Sequence, residues 1–476
     1  MIRFHGAPAA FVSFPFRSGR SLAMGALGPC AAIALLAGLC GCVLTPEGTQ
    51  GERDKATRDG APYRLKYEDR TLPEFPPEPT WREVLQRAFL TNGELEAAYF
   101  EWRAALDRID IAGAYPNTDV NLGFSYMFSS GQMKSFDRMT FSAGFDAMEN
   151  LSYPGKTAQA AKIALDQARA AGERFRATKF DIQKRVLFAW ADYVQHARLI
   201  EIKREDVGLR GMLATLSSIG AATGSGQAGA VESDVAAKLA QSEVDDLVAE
   251  HASMRSMLNA LLHRDAAAPL EVARAFAGEK PREVPTTDAE LVALAAETFP
   301  EVAVYVQELE GRRDALELAR MRWIPDINPT LSFTGSIAQS IGAVIVLPTT
   351  IAEIRGRIRE AESEIRAAEA MLRQRKVERI GEYVALLVTL RRAQEKSQMF
   401  RTAIAPAAQR IVDARTRAYE VGAMGLREVV ESRQVLLETR VMIAASDAAA
   451  EKAVVDIECC LGVDIETLGK KGQSHE

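Results

Sequence analysis

The side chains able to do covalent or metal chemistry are few and scattered in this 476-residue chain. Five histidines, His5, His196, His251, His263 and His475, include no pair at the i, i+4 spacing that sets two imidazoles on one helix face around a metal ion. No phosphate-binding loop, no nucleophile elbow and no pairing of carboxylates on facing elements rises above background in the sequence. An enzyme needs such convergent groups, so the expectation is a protein without catalytic residues, metal or cofactor. After Cys42 the cysteines are Cys459 and Cys460, adjacent and therefore badly placed to bridge each other. Structure has to come from packing.

One cysteine does stand in a reactive context. Arg3, Arg17 and Arg20 precede an apolar run from Leu22 to Leu39 without an acid, which reads as an export signal over residues 1–41. The run ends in Leu39-Cys40-Gly41-Cys42, with Leu three positions before the last cysteine and a small residue directly before it. That is the form of a lipobox, which makes Cys42 the acylated N-terminus of the processed protein and covalent lipid its one attached group. Such an anchor contributes about 0.8 kcal/mol per buried methylene. By resemblance to bacterial lipoproteins, Val43 stands where an Asp would hold the product in the inner membrane, so delivery to the outer membrane is expected. The competing reading is an uncleaved membrane helix, because roughly 18 apolar residues just span a bilayer. Residues 42–79 are polar, with Pro73, Pro76, Pro77 and Pro79 close together, and read as an extended lipid tether with no core of its own. The net charge of −6, more negative still once the signal's three arginines are removed, makes nucleic acid an unsuitable partner.

The elements that follow come twice. Val84, Leu85, Ala88, Glu94 and Leu95 match Leu291, Val292, Ala295, Glu301 and Val302 at one constant spacing, with helix breakers at Asn92-Gly93 and Phe299-Pro300. This divides the chain into a first repeat, 80–280, a second, 281–465, and a polar tail, 466–476. Leu95, Tyr99, Trp102, Leu106 and Ile109 step by four and three, a narrow seam of coiled-coil type. Past Pro116 the period becomes two: Val120, Leu122, Phe124, Tyr126 and Phe128, then Met139, Phe141, Ala143 and Phe145, predict strands within about 118–148. The second repeat offers Ile327, Leu331 and Phe333 and then Gly342 to Leu347, a shorter hairpin over about 326–347 that carries Pro329. A small soluble β-domain capping a bundle would show the same alternation.

Between the hairpins, helical pattern runs from about Gly155 to Ser217, turns through Ile219–Gly229 with its Gly226 and Gly229, and returns over Val231–Leu262. The second repeat runs from Thr350 to Glu420, turns at Gly422 and Gly425, and returns over Leu426–Leu461. The fold class is thus mainly α with β, two long helical hairpins each preceded by a β-hairpin. Four strands cannot close a barrel, and an open sheet in hydrocarbon leaves edge N–H and C=O groups unsatisfied. Three copies would supply twelve strands for a trimeric β-barrel, and their helical hairpins, each with a narrow apolar stripe, would pack side by side into an α-barrel tunnel.

Several of these features together resemble the TolC-like outer membrane factor (outer membrane efflux protein) family: the NGEL and FPEV helix starts, the ends at Pro116 and Pro325, the restarts at Pro154 and Pro348, Pro406 within a helix and Leu461-Gly462 at a helix close. More specific is Tyr419-Glu420-Val421-Gly422-Ala423-Met424-Gly425-Leu426-Arg427-Glu428-Val429-Val430-Glu431, similar to the family's periplasmic tip segment. The resemblance covers about Trp81 to Val463. It implies a lipid-anchored homotrimer in the outer membrane of a Gram-negative bacterium, extending into the periplasm to meet an adaptor (membrane fusion protein) and an inner-membrane pump. The trimer would be a passive duct for small molecules or ions in a tripartite efflux system.

By the same resemblance, Glu428 and Glu431 stand where the family commonly has aspartates at the narrow end of the lumen, and Glu232, after Gly226-x-x-Gly229, is the first repeat's nearest match. Three copies of each would make acidic rings that favour cations. The plainer reading is that these are solvated acids at helix starts, where the helix dipole favours them. The chain departs from the family in its short second hairpin, its Gly/Ala-rich first tip and Met424, where a basic gate residue can stand. Two other readings remain open: a lipid-tethered periplasmic coiled-coil scaffold that conducts nothing, and the outer-membrane component of type I protein secretion.

Overall fold

The computed structural model describes residues 43–114, 120–128, 134–145, 152–222, 227–272, 287–334 and 338–463. Cys42 and Gly226 lie outside them. From Leu44 onward the described residues belong to one compact unit.

The duplication is carried by two pairs of short helices of equal length. Helices α2 (Trp81–Thr91) and α3 (Gly93–Gly113) have 11 and 21 residues, and so do α6 (Asp288–Thr298) and α7 (Pro300–Arg320). Each pair opens with a capping box, Thr80 with Glu83 and Thr287 with Glu290, in which hydroxyl and carboxylate reciprocally satisfy free backbone N–H groups. The boundary within each pair is made differently. The Asn92 side chain accepts from the Leu95 N–H at 3.0 Å, whereas Pro300 is the first residue of α7 and has no N–H to satisfy. The expected seam is internal: Leu95, Tyr99, Trp102, Leu106 and Ile109 are all buried.

Each pair leads into a β-hairpin and then a long rod. Strands β1 (Val120–Tyr126), β2 (Met139–Phe145), β3 (Asp326–Thr334) and β4 (Ala338–Val346) form one antiparallel sheet in chain order. The register sets Phe124 opposite Phe141, Phe141 opposite Phe333, and Ile327 opposite Ile345. The second hairpin lies within the expected stretch and is the shorter of the two end to end, but its strands are the longer: β3 and β4 have nine residues each against seven in β1 and β2. Pro329 is tolerated because the β2–β3 ladder stops at Gly144↔Thr330, leaving it in a stretch paired on one side only.

In repeat 1 the rod is α4 (Pro154–Ala222), 69 residues and thus roughly 100 Å long, returned by α5 (Gln227–Leu261). It extends past the expected stop, and α5 starts before the expected turn has ended, so Gly229 is helical rather than a turn residue. Every position from Gln227 to Leu261 is helical. In repeat 2 the outward rod is α8 (Ile351–Met399), a π-turn (Phe400–Ile404) and α9 (Ala405–Glu420), returned by α10 (Leu426–Leu461). Pro406 explains the π-turn, because a proline inside a helix clashes with the carbonyl one turn back and the widened turn relieves it. Asp447 on α10 secures this place, accepting from the Ser397 hydroxyl at 2.7 Å and pairing with Arg401. Helix α4 packs against α3, α5, α7 and α10, and α8 against α6, α7 and α10. No helix among the described residues is long and apolar enough to cross a membrane.

The segment expected to be an extended tether is folded. Thr49–Asp59 is a helix, α1, followed by 3-10 turns at Ala61–Tyr63 and Tyr67–Asp69. Its composition hides this because most of its attachments are polar. Arg53 pairs with Asp110 at 2.7 Å, and Arg70 forms a two-pronged pair with Glu96 and donates to the Leu65 carbonyl at 2.9 Å. Ala56 and Tyr63 join the apolar core of repeat 1, and the Tyr63 hydroxyl donates to the Phe89 carbonyl at 3.1 Å. Gly60 lets the chain cross the Tyr99 ring, since a Cβ there would fall 2.0 Å from a ring carbon.

Candidate periplasmic tip and aperture

The tip of repeat 2 follows from backbone bookkeeping at the end of α9. The Ala423 N–H reaches the Ala418 carbonyl at 2.9 Å and the Gly422 N–H the Tyr419 carbonyl at 2.9 Å. These are the two bonds of a Schellman close, and they require the left-handed backbone that Gly422 adopts at φ 72°. Tyr419 is exposed in the last turn of α9, and Val421 is 79% exposed. Gly425 is the N-cap of α10 and has no side chain to cap with. Glu428, third residue of α10, folds back over it: a Cβ at position 425 would stand 2.7 Å from Glu428 Oε2. The Glu428 carboxylate therefore lies by the positive end of the helix dipole, the placement the plainer reading anticipates.

Packing holds the acids outward. Val429 and Val430 are buried; Val430 joins Leu209 of α4 and Leu437 in one apolar cluster. Arg415 Nη1 donates to the Glu428 carbonyl at 2.8 Å and ties α9 to α10. Gln434 Nε2 donates to Asp206 at 3.1 Å and Arg440 pairs with Glu205 at 3.1 Å, joining α10 to α4. On the opposite side of α10, Glu428, Glu431, Val435, Glu438 and Met442 recur at three- and four-residue steps, all exposed. This stripe continues the two expected acids along one helix face, and its spacing is readable in the sequence.

Glu431 and Glu232 make no hydrogen bond or ion pair with any described residue. Glu232 is exposed near the start of α5, and α4 packs against α5 as well as against α10. A single chain thus brings Glu428 and Glu431 together on one helix face and leaves Glu232 on a separate helix. At the first tip, the Ser217 and Ser233 hydroxyls meet at 3.1 Å and join α4 to α5. Among the described residues no group of three or more His, Cys, Asp or Glu is placed to hold a metal ion. Cys459 and Cys460 are free thiols that burial pushes up to about 12 and about 11.

No protein-family model and no curated protein matches the sequence. Solved structures do match. A membrane protein from Pseudomonas aeruginosa is similar at 18% identity and a TM-score of 0.65, over 83% of this chain and 97% of that one. CusC, described in connection with folding and transmembrane channel formation, is similar at 15% identity and 0.64, over 84% and 97%. The Neisseria gonorrhoeae MtrE outer membrane channel, in its open state, is similar at 13% identity and 0.64, over 83% and 94%. At such identities the likeness establishes the fold.

Proposed function

We propose that this chain, which has the fold of the TolC-like outer-membrane channels, is one protomer of a homotrimeric, lipid-anchored efflux duct. Its sheet would contribute four strands to a twelve-stranded barrel in the outer membrane, and its rods would form part of a periplasmic tunnel that meets an adaptor and an inner-membrane pump. The observation that carries this reading is the open sheet. Among the described residues strands β1 and β4 each have one neighbour, and Phe124, Phe141, Ile327 and Ile345 on the sheet are half or more exposed. Free edges and outward apolar side chains are both satisfied by closure with other copies in a bilayer.

The internal duplication supports assembly independently. In repeat 1, Leu85 of α2 and Leu187 of α4 are covered by Val455 of α10. Buried Val186, Trp190 and Tyr193 run in step with buried Tyr383, Leu387 and Leu390, which matches Leu187 to Val384 and Leu85 to Val292. In repeat 2 those two residues, with Val388, line an open groove of about 540 Å³. Val384 and Val388 are 44% and 59% exposed. The counterpart of α10 is α5, and α5 of a neighbouring copy, with its exposed Leu239 and Met257, is the cover the repeat calls for.

Within the trimer Glu428 and Glu431 would line the narrow end as acidic rings, with Glu232 on the first repeat's side, and Cys42 would carry the lipid. The reading assigns the protein no covalent chemistry. Planar-bilayer conductance of the signal-processed protein tests it. Stable currents with cation preference, reduced by Glu428→Ala with Glu431→Ala, are expected; a well-folded trimer that passes no current even after the tips are loosened would favour the tethered scaffold.

A further inference from the structure

We propose that Asp166 and Asp314 share one proton and act as a pH-responsive clasp between the two repeats. Asp166 belongs to α4 of repeat 1 and Asp314 to α7 of repeat 2, and both are buried, 3% and 6% exposed. Gly311 keeps α7 close here, since a Cβ at that position would already touch the Asp166 Cβ at 3.6 Å. Asp314 is held firmly: Oδ1 accepts from Lys162 Nζ at 2.8 Å and its backbone carbonyl from Gln159 Nε2 at 3.0 Å. Asp166 Oδ1 accepts from Arg169 at 3.2 Å. Its other oxygen, Oδ2, is buried without a donor, although the Asp314 carboxyl lies within hydrogen-bonding reach of Asp166.

Two buried carboxylates at that range repel when both are ionised, and a buried acceptor with no donor is costly. One proton removes both penalties, turning Asp166 into a donor to Asp314. Burial first, then the hydrogen bond and the charge of Asp314, push the Asp166 carboxyl up from 3.8 to about 6, against the lowering effect of Arg169 and Lys162. The other charged groups nearby are largely engaged elsewhere. On α7, Glu317 acts on Lys162, Glu308 pairs with Arg174, and Arg312 pairs with Glu364 at 2.8 Å. On α3, Glu101 and Arg108 line, together with Asp166, a cavity of about 1150 Å³, and Asp110 is taken by Arg53. The cavity gives the proton a path to solvent.

The direction of the response follows from these values. The folded state holds the proton more tightly than the unfolded chain, so the clasp's contribution is fully present below about 3.8 and is lost as pH rises through about 6. This depends on neither conduction nor assembly. The test is infrared difference spectroscopy of the full-length protein between about pH 8 and pH 5, a window that spans the raised value, with hydrogen exchange of α4 and α7 read alongside. A carboxylic-acid carbonyl band with its midpoint near 6, absent in Asp166→Asn, is expected, and the protection of amides around the pair, taken relative to their intrinsic exchange rate at each pH, should be several-fold higher on the acid side in wild type alone. In Asp314→Asn the band should persist with its midpoint moved toward the ordinary carboxylate range. Folded wild type with no band titrating in that window, or a band unchanged in Asp166→Asn, overturns the proposal.

Discussion

The two rods that return to the body each end on a residue in left-handed backbone, a glycine in one and a histidine in the other, and this gives a paired test with opposite signs. Helix α10 closes at Gly462, φ 62°, and α5 at His263, φ 53°. A Cβ at Gly462 would be 2.3 Å from Pro300 Cγ, and a proline ring at the start of a helix cannot turn aside. Gly462→Ala therefore incurs the left-handed penalty of about 1 kcal/mol, overpacking of roughly 1–3 kcal/mol as α7 and α10 are forced apart, and about 1 kcal/mol from the Arg176 bond to the Gly462 carbonyl, which is 2.7 Å long. The expected loss is roughly 3–5 kcal/mol, taking those contributions together. His263→Gly relieves the same backbone penalty and gives up only an edge contact with Tyr67 at 5.2 Å, for a net gain of about 0.5 kcal/mol. Denaturant midpoints by tryptophan fluorescence, under identical detergent conditions, read both variants. A Gly462→Ala protein as stable as wild type would refute the reasoning, and a His263→Gly protein less stable than wild type would show that the ring contact outweighs the strain.

Arg70→Ala should free the N-terminal segment, because it strips Glu96 of its partner and uncovers Tyr63 and Tyr67, over whose rings the guanidinium lies at 5.4 and 5.8 Å. A loss of about 3 kcal/mol should appear as faster proteolysis within residues 49–79 and little change in the rods. His251, stacked on Tyr193 at 4.1 Å, is pushed down to about 4 by burial, with His196 and Arg255 adding to it. Its neutral form belongs to the fold, so its contribution is complete above about 6.5 and is lost as pH falls through about 4. Stability measured across that window should slope less steeply in His251→Gln, and equal slopes would count against a buried neutral imidazole.

Much of the architecture was legible because it is local. Helix phase at Leu95–Ile109, the breakers at Asn92 and Phe299, and the strand alternation at Val120–Tyr126 each depend on residues a few positions apart, and all are where the spacing puts them. What escaped depends on partners far along the chain. Residues 49–69 look like a linker because Arg53 and Arg70 find their carboxylates on α3. Asp166 looks like one more acid on a long rod, and its partner comes from the other repeat. Pro329 argued against a strand only while both its sides were assumed to be paired. At the tips, Gly422 was readable because left-handed backbone favours glycine, whereas Gly229 has ordinary helical neighbours and shows that a glycine can accompany a turn without making it.

The π-turn at Phe400–Ile404 makes the two halves of this duplicated molecule mechanically unequal. Helix α4 is an unbroken beam of 69 residues, in which bending is spread over every turn. The matching length of repeat 2 is a beam of 49 residues joined to a short lever at a point where the regular ladder of hydrogen bonds is interrupted. Its compliance is concentrated there, at the joint that Asp447 pins. A displacement imposed on the Tyr419–Gly425 end is therefore taken up at Phe400, roughly 30 Å away, while the same displacement at the end of α4 is carried toward Pro154 and the sheet.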